Sequence, residues 1–272
     1  MAADTSSAAW YQWLARAGLV AKGVSFGIVG VLAIMVALGR GGRATSREGA
    51  LQSIASHAGG TLLLALLALG FAAYAAWRFV QAYEERDGGP GAGEEATSWA
   101  KRSGYAGRGL IYAGLTFGTI RLITGSGERQ SQNQKAHKTA AAVLDWPAGR
   151  WIVGGAGLCL AGAGVWNLYR GITRKFEEKW RRHEMTETER TWGGRAGLLG
   201  HLARAVVFAL IGIFVTKAAL EFDPQDAIGL DGALQKLARA DYGPYLLGLT
   251  AAGLLCYGLY CLVDARYRDV ST

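Results

Sequence analysis

The sequence predicts an all-α integral membrane protein: six transmembrane helices in three parallel-repeat helical hairpins, in a pseudo-threefold arrangement. Three observations predict it. Hydrophobic residues make up 51% of the 272 and gather in long blocks, without the alternation of a soluble fold. The blocks, at about residues 18–38, 60–82, 104–124, 150–170, 200–220 and 244–263, each approach the roughly 20 residues that cross about 30 Å of hydrocarbon. The chain also repeats itself three times, and repeats settle architecture before any single motif does. A mean hydropathy of +0.15 and charged loops would suit a soluble helical bundle, but block length decides for the membrane. The 40 glycines fit the same reading, since small residues let membrane helices approach closely.

In order, residues 1–12 form an N-terminal tail and 13–83 the first repeat, with two spans. Residues 84–98, "EERDGGPGAGEEATS", are a glycine-rich acidic linker that reads as a flexible tether. The second repeat covers 99–171. A charged linker at 172–194 follows; "RKFEEKWRRHEMTETER" mixes both charges at helical spacing, with Phe176 and Trp180 four apart, and predicts a cytoplasmic helix lying near the headgroups. The third repeat covers 195–266 and a C-terminal tail 267–272. The first apolar block is long for a signal-peptide core and lacks a small-residue cleavage site, so it is expected to be retained. Lys and Arg concentrate on the side of the termini and inter-repeat linkers, which predicts both termini in the cytoplasm.

The alignment is specific. "AKGVSFGIVG" from Ala21, "GRGLIYAGLT" from Gly107 and "ARAVVFALIG" from Ala203 share one register. It places Lys22, Arg108 and Arg204 together, and Phe26, Tyr112 and Phe208 one turn on. Gly23, Gly27 and Gly30 match Gly109, Ala113 and Thr116, then Ala205, Ala209 and Gly212, a strip suited to helix packing. In the second helices Gly70, Tyr74 and Trp77 match Gly162, Trp166 and Tyr169, then Gly253, Tyr257 and Tyr260. "GALQ" at Gly49 recurs at Gly232, so each connecting loop is expected to hold a short interfacial segment.

Each hairpin contains two spans, so all three run in the same direction, and Lys22, Arg108 and Arg204 are free to converge on one axis. The bland reading is snorkelling: a base about four residues inside a helix lies only about 6 Å below the interface. The functional reading is a site for an anionic lipid headgroup or another phosphate-bearing ligand. Arg121 and Lys217, aligned with Met35, are expected to anchor the outer ends, and Arg78 and Arg170 the cytoplasmic ends. Catalytic signals are sparse. His57, His137, His183 and His201 offer no pair for bis-histidine haem ligation. Asp145, Asp231 and Asp241 are expected to be solvated in outer loops. Cys159, Cys256 and Cys261 show no disulfide or metal spacing. No catalytic, metal or cofactor-binding residue is predicted, no cofactor, and no enzyme activity.

The threefold "AKGVSF", "GRGLIY", "ARAVVF" pattern resembles the bacterial six-span family catalogued as domain of unknown function 1206, over nearly the whole chain. The basic–small pair follows a glycine, as in Gly18–Gly23 and Gly104–Gly109; the third copy has Ala205 instead of glycine and a three-residue shift upstream in "GRAGLLGHLAR". The resemblance implies a membrane location and no activity. The expected role is therefore that of a lipid-binding or complex-assembly protein of a bacterial inner membrane. A channel or transporter for a small anion is the alternative, and a cofactor-dependent membrane enzyme or redox subunit a weaker one. Expected partners are membrane lipids, anionic ones included, and a membrane-protein partner or second copy of the chain; no nucleic acid is expected, the net charge of +8 serving orientation and lipid attraction.

Overall fold

A computed structural model of the chain describes residues 3–40, 46–55, 57, 59–84, 92–126 and 131–269. Nine α-helices are seen among them: α1 (Ala3–Ala37), α2 (Arg47–Ala55), α3 (Gly60–Glu84), α4 (Ala92–Ile123), α5 (Gln132–Leu144), α6 (Gly149–Ile172), α7 (Glu187–Glu221), α8 (Leu230–Arg239) and α9 (Gly243–Tyr267). Each repeat is thus a long helix, a short helix in the loop and a second long helix. Five helices are long and apolar enough to cross a membrane: α1 from Trp10, α3, α6, α7 and α9. The sixth expected span lies in α4, which falls short of that criterion. Its sequence adds Lys101, Arg102, Arg108 and Arg121 to a glycine-rich run.

The strips of small residues join different repeats. Gly23, Gly27 and Gly30 of α1 lie against α9, where a Cβ on Gly258 would stand 2.7 Å from the Gly23 carbonyl. Gly109 of α4 lies against Phe79 of α3, and Ala205, Ala209 and Gly212 of α7 lie against Gly164, Gly157 and Ala161 of α6. The first helix of each repeat therefore packs on the second helix of the preceding one, and α1 on α9 closes the cycle. Within repeats 1 and 3 the two long helices also pack together, through Gly18 on Tyr74 and Gly70 on Ala21, and through Gly200 on Tyr257 and Gly253 on Ala203. Gly200 takes the place of Gly18 without any shift, so the irregularity expected upstream of Ala205 is absent. Repeat 2 differs: α4 and α6 do not pack along each other. The pseudo-threefold cycle is complete between repeats and broken inside the middle one.

The short helices meet at the end of the bundle away from the termini. The α8 N-terminus is capped from α5, where the Gln132 and Asn133 side-chain oxygens accept from the Leu230 and Gly229 N–H groups at 3.1 and 3.2 Å. Lys135 of α5 pairs with Glu48 of α2 at 3.3 Å. Asp231, expected in solvent, is buried in the first turn of α8, where a carboxylate suits the helix dipole.

The charged linker departs from expectation. Residues 175–179 and 182–184 are separate 3₁₀ turns, and Arg174 takes a left-handed φ of 52°. Phe176 and Trp180 face inward instead of toward headgroups: Phe176 stacks on His201 at 4.9 Å, and the Trp180 indole N–H donates to Asp264 at 3.1 Å. Burying two large rings outweighs the helical charge pairs, each worth only about 0.2–0.5 kcal/mol. The Thr186–Glu189 capping box then starts α7. The expected tether at 84–98 lies partly outside the described residues; from Ala92 onward it is helix α4. The N-terminal tail is helical from Ala3.

Candidate functional site

Helix length decides where the basic trio sits. Lys22 comes 19 residues after Ala3, Arg108 16 after Ala92 and Arg204 17 after Glu187, so each lies roughly 24–28 Å along its helix. The charged or polar stretch ahead of each apolar block continues as helix, so the base lies near mid-helix instead of near a helix end.

Two of the trio converge on a single ring. The Lys22 ammonium stands 5.1 Å from the centre of the Tyr257 ring and the Arg204 guanidinium 4.5 Å from it, so the two charges are within about 10 Å of each other. Lys22 also faces Tyr74 at 5.7 Å. Arg204 donates to the Tyr257 hydroxyl at 2.5 Å and covers Phe208 and Phe26. Phe26 meets Tyr257 edge-on at 4.9 Å. Arg108 is exposed on α4, within electrostatic range of Arg78 and Tyr74 on one side and of Arg204 and Tyr257 on the other.

The sequence reading missed Arg47. From the first turn of α2 it reaches down to Phe26 at 5.0 Å and donates to the Tyr112 hydroxyl at 3.1 Å. Tyr112 in turn lies 4.3 Å from Tyr74, which links the sites around Arg47 and Lys22. The signal was present in "REGALQ", where a base precedes a repeated motif, but the third copy has Leu230 there. Arg78 was read as an interfacial anchor; it is buried, bonded to the Tyr74 hydroxyl at 2.6 Å and stacked over Trp77 at 4.2 Å. Of the repeat aromatics, Phe26 and Tyr112 belong to the cluster's core, and Phe208 is partly exposed beneath Arg204.

No carboxylate pairs with Lys22, Arg47, Arg78, Arg108 or Arg204 among the described residues. Lys22 faces the rings of Tyr257 and Tyr74 instead of a carboxylate. Nearby acids are committed elsewhere: Asp264 to Arg268 at 2.7 Å and Glu48 to Lys135. The Nε atoms of Arg78 and Arg204 are buried without a hydrogen-bond partner. Two like charges about 10 Å apart repel by about 2 kcal/mol at an effective dielectric near 20. Ring faces return part of this, but an anion would neutralise it directly.

The remaining candidates make local contacts. His201 is buried, its Nδ1 2.7 Å from the Gly197 carbonyl. His137 lies 3.1 Å from Asn133 and His57 2.7 Å from the Ser53 carbonyl. Arg121 donates to the Ser126 carbonyl, and Lys217 pairs with Asp226 at 2.9 Å and Glu221 at 3.3 Å.

Five apolar membrane-length helices in a threefold internal repeat define a multi-pass, all-α membrane protein. The chain belongs to the family described as Domain of Unknown Function (DUF1206), whose pattern matches three times, at residues 17–84, 103–174 and 199–268. It is similar to "Uncharacterized protein YxxB" of Bacillus subtilis (strain 168), 30% identical over 262 residues, which covers 96% of this chain and 93% of that protein. No solved structure matches the chain.

Proposed function

We propose that the protein is a non-enzymatic protein of a bacterial inner membrane, both termini cytoplasmic, that holds a phosphate-bearing anion on Lys22, Arg47 and Arg204, with Arg108 at the rim. One observation carries this: these bases share the Tyr257–Phe26–Tyr112 aromatic group with no carboxylate paired to any of them. Each base offers what such an anion needs. Arg204 and Arg47 present forked N–H donors, and Lys22 a compact point charge. The tyrosine hydroxyls that accept from Arg47 and Arg204 fix the direction of the guanidinium planes. An anionic lipid headgroup and a free anion share this chemistry, and the test separates them.

Native mass spectrometry of protein extracted in mild detergent should show retained anionic phospholipid. The Lys22→Ala/Arg204→Ala variant should lose it, and undiminished retention would sink the proposal. In a second arm, delipidated protein is titrated with short-chain phosphatidylglycerol and with inorganic phosphate, read by thermal shift. Stabilisation by both identifies phosphate as the recognised group. A response to inorganic phosphate alone would favour the small-anion reading. That reading draws on the succession of Arg47, Lys22 and Arg78 along the bundle, but the backbone-close packing of α1 on α9 at Gly23 and Gly258 leaves no lumen between those two helices.

A further inference from the structure

Repeat 2 contains the residues of a closed hairpin without the hairpin. In repeats 1 and 3, Gly18 and Gly200 admit the tyrosines Tyr74 and Tyr257, while Gly70 and Gly253 admit Ala21 and Ala203. The same register in repeat 2 gives Gly104 opposite Trp166 and Gly107 opposite Gly162. A Cβ built on Gly104, Gly107 or Gly162 would meet nothing within 4 Å, and Trp166 is 53% exposed. Glycine in an exposed helix interior is less favourable than alanine. These glycines gain nothing from the open arrangement; they would gain close packing if α4 and α6 met as their counterparts do.

The gap adjoins the basic cluster. Arg108 follows Gly107 directly in the chain, is exposed, and lies within electrostatic range of Arg204 and Tyr257. Both flanking helices carry exposed apolar side chains, among them Leu110 and Phe117 on α4 and Leu158 and Val165 on α6. A basic pole beside an apolar slot open to the side is complementary to an amphiphile with a phosphate at one end. A soluble anion has no use for the slot.

Resting on the function proposed above, we infer that the α4–α6 gap is a lateral portal: an anionic phospholipid reaches the basic cluster from the bilayer with its acyl chains between α4 and α6, and the portal closes by seating Gly107 on Gly162. The ligand is then a membrane lipid, and repeat 2 is its moving part.

The test introduces Gly107→Cys and Gly162→Cys into protein carrying Cys159→Ala, Cys256→Ala and Cys261→Ala, reconstituted in nanodiscs of phosphatidylcholine and phosphatidylglycerol. Oxidation with copper phenanthroline should form an intramolecular disulfide, because the equivalent Cβ positions in repeats 1 and 3 are in contact. The cross-linked protein should exchange fluorescent phosphatidylglycerol at least about tenfold more slowly than the reduced protein, with dithiothreitol restoring the rate, since the access-competent state is removed. Gly104→Cys with Trp166→Cys is the second pair, should the first fail to fold. Failure of both folded pairs to cross-link overturns closure, and unchanged exchange by cross-linked protein overturns the portal. Lys22→Ala/Arg204→Ala in unlocked protein tests binding separately: lost lipid with unimpeded exchange through a cross-linked gap refutes the portal alone.

Discussion

At Lys22 the chain accepts a charge at mid-helix among aromatic rings, and its cost and its use are separable by substitution. Lys22→Met removes one of two unpaired charges around Tyr257 and keeps side-chain length. Delipidated in detergent, this variant should be more stable than the parent by about 2 kcal/mol, the repulsion relieved, while retaining less anionic phospholipid. A thermal melt and native mass spectrometry on one preparation check both signs. Tyr257→Phe should act oppositely on stability. It keeps the ring under Lys22 and Arg204 but deletes the hydroxyl that accepts from Arg204, costing about 1.5–3 kcal/mol. The register of Lys22, Arg108 and Arg204 was legible because duplication preserves spacing. Their place at mid-helix was not, because polar residues ahead of an apolar block look like loop while tertiary packing keeps them helical. Arg47 was legible only in part: a base precedes the repeated GALQ motif, but its role depends on where α2 reaches, which that motif does not encode.

Among elements, equivalent glycines have unequal duties, and substitution should expose the difference. A Cβ on Gly253 would clash with Ala203 and the Leu199 carbonyl, so Gly253→Val should lower stability by about 1–3 kcal/mol or more. Gly162→Val, in the same register, should change stability little, within about 0.5 kcal/mol, yet speed lipid exchange by obstructing closure of the gap. Comparing the two melts in one detergent tests the asymmetry of repeat 2. At the capped end, Lys217 hydrogen-bonded to Asp226 holds that carboxyl below the ordinary aspartate range. A depressed carboxylate pKa contributes stability that is present above the unfolded value near 3.9 and disappears as pH falls through the folded value. The difference in melting temperature between the parent and Asp226→Asn should therefore shrink in acid. The linker at 172–194 shows where pattern misleads. Phe176 and Trp180 fit an amphipathic surface helix by spacing, but the Trp180 indole finds Asp264, and the segment folds inward.

Across the whole molecule, the packing of each repeat on its predecessor carries the architecture, and the inter-repeat strips are its fasteners. This is why the fold class was readable from sequence: the strips recur in fixed register, and small residues at that spacing report contact between helices. Which helices they join was not readable, since hairpin pairing and inter-repeat pairing use the same residues. Trp180 adds a second tie between repeats, linking the segment after α6 to the end of α9 through Asp264 and a backbone bridge to Arg268. Trp180→Ala should cost about 3–5 kcal/mol and loosen the termini-bearing end first, visible as faster amide exchange around Asp264 and Arg268.

The contact of α1 on α9 makes the polypeptide's linear order incidental to its shape. Three units that each grip the one before have no natural first member, much as beads on a closed string have none. A gene rearranged so that translation starts in the stretch 85–91, with the native ends joined by a short glycine–serine bridge, would encode the same assembly read from a different point. Such a permutant should insert, melt cooperatively and retain anionic phospholipid to the same extent as the parent.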